Sequence, residues 1–70
     1  MNKLIGKIIK YNGSSGLIID ENNNQYLLLN HNIVGNEKIN VDDVVSFLPE
    51  VFKTIEIEEK VATFIEKIKP

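Results

Sequence analysis

The sequence predicts an all-β fold, and three observations carry that prediction. Four short apolar runs between residues 3 and 48 are rich in isoleucine, valine and leucine, the side chains that suit a pleated, half-buried surface. The breaks between them are turn signals, Asn12-Gly13 and Asn22-Asn23-Asn24, residues that tolerate left-handed backbone and bond their own main chain. The order is apolar run, Gly-Ser turn, apolar run, asparagine turn, apolar run, which makes the first three a meander.

Each element has its own justification. Residues 3–11, KLIGKIIKY, predict the first strand, with Leu4, Gly6, Ile8 and Lys10 on one face and Ile5, Ile9 and Tyr11 on the other. Gly6 suits a bend or a close backbone approach. Asn12 to Gly16 turns the chain, and Leu17 to Asp20 is a short second strand. After the asparagine turn, Gln25 to Asn30 predicts a third strand with Tyr26 and Leu28 opposite Leu27 and Leu29. His31 to Asp43 is polar and interrupted by Gly35, which reads as a long surface connection. Val44 to Leu48 predicts a fourth strand that ends at Pro49, a residue that cannot donate to a ladder.

The last twenty residues fit two descriptions. Ile55 and Ile57 alternate as in a strand, whereas Val61, Phe64, Ile65 and Ile68 fall at helical spacing. Read as a strand, Val61, Thr63 and Ile65 face one way and Ala62, Phe64 and Glu66 the other.

Seventy residues make one small domain, spanning 1–70, that buries only ~60% of the surface its unfolded chain exposes. That leaves no room for a deep substrate cavity. With 43% apolar and 26% charged residues the composition is that of a globular chain. The absence of cysteine excludes disulfides and thiolate metal sites. No apolar run approaches the ~20 residues of a membrane span and no signal peptide opens the chain, so a cytoplasmic setting is expected and the Asn12-Gly13-Ser14 sequon has no role. All eight basic residues are lysines, three of them (Lys3, Lys7, Lys10) in the first ten positions, while eight of the ten acids lie beyond residue 36. The net charge of −2 therefore conceals a chain polarised in sign.

Several segments resemble the cold-shock domain, a five-stranded barrel of OB type that binds single-stranded RNA and DNA. Gly6-Lys7-Ile8 with Tyr11-Asn12 is similar to that family's opening G-K-V-K-W-F-N, and Gly16-Leu17-Ile18 to the end of its K-G-F-G-F-I. YLLLNHNI, from Tyr26 to Ile33, stands where the family has V-F-V-H-F-S-A-I. GNEKINVDDVVSF, from Gly35 to Phe47, resembles G-F-K-T-L-x-E-G-Q-x-V-x-F, and Val61 to Ile65 matches the closing A-x-N-V strand. The resemblance implies a small five-stranded antiparallel OB-type barrel with a strand, not a helix, at the end.

It also implies a binding face, from which most rings are missing. Stacking of bases on exposed aromatics is worth ~1–3 kcal/mol per base. Lys10 stands at the family's tryptophan position and only Tyr11 keeps a ring; Leu17, Leu27 and Leu29 replace two phenylalanines and a histidine, and Asn30 another phenylalanine. The expected nucleic-acid contacts are Lys7 and Lys10 to phosphates, Tyr11 by stacking, Leu17, Leu27 and Leu29 by apolar contact, and Asn12, Asn30 and His31 by hydrogen bonds.

Catalysis finds little support. His31 is the only histidine, and Ser14, Ser15 and Ser46 the only serines. Asp20 to Asn24 begins like a calcium loop, but Gln25 replaces the required glycine and His31 the bidentate glutamate. Gly13-Ser14-Ser15-Gly16 lacks the lysine and helix of a phosphate loop. No enzyme activity, cofactor or metal is expected. Two functions remain: weak, largely sequence-independent binding of single-stranded RNA or DNA, or a protein-interaction module, joining a protein partner or a second domain, that uses the leucines as an apolar patch.

Overall fold

A computed structural model describes residues 2–68 of the chain; Lys69, the last residue of the segment with two readings, lies outside them with Pro70. Five strands follow in order: β1 (Leu4–Tyr11), β2 (Ser15–Asp20), β3 (Gln25–Leu29), β4 (Val44–Lys53) and β5 (Glu58–Lys67), with 3-10 turns at Asn30–Asn32 and Val34–Asn36. They close into a barrel in the order β1-β2-β3-β5-β4. Among the described residues no helix is long and apolar enough to cross a membrane.

The expected antiparallel pairing holds at four of the five junctions. β3 and β5 run parallel, through Leu27–Val61 and Leu28–Ala62. The reason is parity: a closed ring with an odd number of strands cannot alternate direction all the way round.

Every strand supplies the core. Ile8, Ile18, Leu28, Val45, Phe47, Ala62 and Ile65 are fully buried, joined by Tyr26 and by Ile39 from the connection between β3 and β4. That connection is therefore not wholly on the surface; Ile33 also packs on the core and bridges to Ile65. In β3, Tyr26 and Leu28 face inward and Leu27 and Leu29 outward, as their alternation predicts. Gly6 is required by a close crossing, because a Cβ there would sit 2.6 Å from Ile18 Cγ2 and 2.7 Å from the Ile19 carbonyl oxygen.

Three further expectations are corrected. In β1 a bulge at Ile9 shifts the register between Ile8 and Lys10, so Lys10 leaves the face of Gly6 and Ile8, while Tyr11 packs on the core. Pro49 does not end β4, which runs on to Lys53. Because β1 pairs with β4 only as far as Phe47, the β4 edge beyond is free, and a free edge tolerates a residue without an N–H. In β5, Ala62 and Ile65 both reach the core although strict alternation would separate them. Phe64 absorbs the odd residue at φ 48°, opposite the register shift between Ser46 and Leu48. The last segment is a strand because β4 offers it a ladder from Lys67 back to Glu58, a partner that local spacing does not reveal.

Candidate functional site

The outer face of β1, β2 and β3 is built in rows. Lys10 pairs with Leu17 and Leu17 with Leu27, so one lysine and two leucines stand side by side across three strands. Lys7, Ile19 and Gln25 form the row on one side; Ser15 and Leu29 form the row on the other. The Ile9 bulge places Lys10 in this array, since without the extra residue Lys10 would point into the barrel.

A groove of about 580 Å³ opens here. Lys10, Tyr11, Asn12, Leu17 and Leu27, five of the nine expected contact residues, line it with Ile9, Ser15, Gly16 and Val41. None of these is acidic. The floor is apolar, and its charge is the Lys10 ammonium. Gly16 gives the groove its depth: a Cβ there would collide with the Lys10 carbonyl oxygen, so β1 and β2 approach closely only because this position has no side chain.

The polar groups around the groove are largely committed to the fold. The Tyr11 hydroxyl lies 3.2 Å from the Gly13 carbonyl oxygen and 3.2 Å from Asn30 Oδ1, and its ring packs against the core. Tyr11 is thus a wall, not a free stacking surface. Asn12 Oδ1 accepts the N–H groups of Ser14 and Ser15, both at 2.9 Å, and holds the β1–β2 turn.

The remaining expected residues lie elsewhere. Leu29 is outward and half-buried but outside the groove. Asn30 is connected to the groove through Tyr11. Lys7 borders a separate depression with Ile5, Ile19, Glu21 and Val44. His31 sits in the 3-10 turn after β3 and lines a different cleft, of about 340 Å³, with Ile33, Glu50, Thr63 and Phe64. Phe64, 59% exposed, was not anticipated as a surface ring. Its place in sequence gives no signal, because only the bulge turns it out. Ile9 and Val41 were missed for the same kind of reason, one being the bulged residue and the other carried to the groove by the long connection.

Asp20 closes the β2–β3 turn, where the protein's own donors engage its carboxylate. Its Oδ1 accepts the N–H groups of Asn22 and Asn24 at 2.9 Å each, and Oδ2 accepts Asn24 Nδ2 at 3.2 Å and the Tyr26 hydroxyl at 3.0 Å. Burial raises its pKa, but those four donors outweigh it and hold the carboxyl below the usual 3.8. Burial, then the hydrogen bond and charge of Asp20, pushes the Tyr26 phenol above 10.0. Among the described residues no three His, Cys, Asp or Glu side chains converge on a point.

No protein-family model and no curated protein matches this chain.

Proposed function

We propose that this barrel is a binding module, not an enzyme, that takes up single-stranded RNA or DNA weakly and with little regard to sequence. The carrying observation is the Lys10–Leu17–Leu27 row in a groove without acidic lining. Among the described residues Lys7 and Lys10 pair with no carboxylate, so their charge is free to neutralise phosphates. Base faces would lie on Leu17 and Leu27, which offer area without a π-face; with Tyr11 tied down, affinity is low. The closed ring of five strands is compatible with the OB-type barrel and with the cold-shock resemblance. A cytoplasmic setting goes with this reading.

The test is an amide titration of the labelled chain with oligo-dT and oligo-U at low and high salt. The expected result is a set of shifts at Lys10, Leu17 and Leu27 that fades as salt rises. Silence at high micromolar oligonucleotide would sink the proposal.

A second reading, a protein-interaction module, is favoured by the outward leucines Leu17, Leu27 and Leu29, half-buried and contiguous across β2 and β3. A partner protein that shifts these three residues while oligonucleotides do not would select it.

A further inference from the structure

Past Glu50, beyond the last β5 residue that pairs with β3, the β4–β5 hairpin leaves the barrel as a two-stranded arm from Val51 to Lys60, and the molecule is 40 Å long but only 24 by 20 Å across. At its end Thr54 folds the turn, with its Oγ1 accepting the N–H groups of Glu56 and Ile57. No described residue covers this tip. Ile55 is fully exposed and Ile57 is 62% exposed, with Val51 and Phe52 also in solvent. The flanking charges are mostly acidic: Glu56 and Glu59 pair with no lysine among the described residues, and Glu58 has only Lys53 at 3.9 Å. An exposed apolar hairpin with free edges is a surface for another chain.

The same molecule carries the complement. The groove on β1–β3 is apolar at Leu17, Leu27 and Val41, has no acidic lining, and carries Lys10, with Lys7 in the neighbouring row; neither lysine pairs with a carboxylate among the described residues. No arm residue lines the groove of its own chain. At about 580 Å³ the groove falls in the ~300–1,000 Å³ range of sites that enclose a small ligand, enough for a turn bearing two isoleucines.

We propose that copies of this chain associate arm in groove: Ile55 and Ile57 of one copy seat on Leu17, Leu27 and Val41 of another, and Glu56 and Glu59 face Lys7 and Lys10. The contact joins two different surfaces, so it propagates head to tail into a ring or a short chain. It is small, and the expected Kd is on the order of 100 µM, in the range of transient contacts. The inference does not rest on nucleic-acid binding, and its test contains none.

The test uses two variants of the full chain, each altered at exposed positions. Ile55→Ser/Ile57→Ser removes the arm's apolar tip, and Lys10→Glu reverses the groove's charge. Sedimentation equilibrium of the wild type should show association that rises with concentration. Each variant alone should associate at least tenfold more weakly. Mixed, the two should form a one-to-one complex, because the first keeps an intact groove and the second an intact arm. In that mixture the labelled arm variant should shift at Leu17 and Leu27, and the labelled groove variant at Ile55 to Ile57. A wild type that stays monomeric to about 1 mM overturns the proposal. So does a Lys10→Glu variant that associates as well as wild type, which would mean arms pairing with arms, or a mixture that does not associate.

Discussion

The Tyr26 hydroxyl donates to Asp20 Oδ2 at 3.0 Å, which ties a core ring to the turn that joins β2 and β3. The ring itself stands 4.9 Å from that of Phe47, tilted by 58°. One side chain thus bridges the packing of the barrel and the geometry of its second asparagine turn. Tyr26→Phe keeps the packing and removes only the bridge. It should lower stability by about 1 kcal/mol, measured by urea unfolding, without displacing the amide signals of Lys10 or Leu17.

The same pair sets a pH dependence. The Asp20 carboxyl is held below its unfolded value, so its contribution is present above that value, near 3.8, and is lost as pH falls through the lower folded value. The Tyr26 phenol is raised above 10.0, so its contribution is present below 10.0 and is lost as pH rises through the folded value. Between these limits the pair contributes a flat profile. Unfolding midpoints followed from neutral to acid should fall less for Asp20→Asn than for wild type; parallel curves would refute the assignment.

Phe64 holds a left-handed conformation that a bulky side chain adopts at a cost of ~1–2 kcal/mol, while glycine loses ~0.5–1 kcal/mol through its freedom in the unfolded chain. The ring is largely in solvent, so little packing is at stake. Phe64→Gly should therefore raise stability by about 0.5 kcal/mol. A loss of stability in thermal or urea unfolding would show that the ring makes contacts beyond those of the folded barrel.

Gly16 and Gly13 separate close approach from backbone conformation. Gly16→Ala forces a Cβ against the Lys10 carbonyl and should cost about 2 kcal/mol, with amide shifts along the groove. Gly13 has open space around it but φ 95°, and Gly13→Ala should cost only about 1 kcal/mol and leave the groove signals in place.

For nucleic acid, removing one phosphate-neutralising lysine should reduce the steepness of log K against log salt by about 0.7 for a single strand. Lys10→Ala should show that change. Lys53→Ala, on the arm, should not. Equal slopes for the two variants would place the phosphate contacts outside the groove.

The turns were legible because their chemistry is local: Asn12 bonds the Ser14 and Ser15 amides, and Asn23 takes φ 65°, within four residues of sequence. The alternation of β3 was legible because nothing interrupts it. The candidate site was half legible. Leu17 and Leu27 follow from strand alternation and Lys10 is exposed, which a phosphate contact requires, but Tyr11, expected to stack, is packed on the core, because a bulge inverts every position after it.

By itself the sequence determined where the first two turns fall, that the runs up to Phe47 are β-strands, and which leucines of β3 face outward. The tertiary structure decided the rest: the parallel β3–β5 junction, the run of β4 through Pro49, the strand after residue 58, and the bulges at Ile9 and Phe64. These depend on closure. A ring of five strands must contain one like-directed pair, and a strongly bent strand sheds its strain in an extra residue whose position depends on the partner across the ladder, not on its neighbours in the chain.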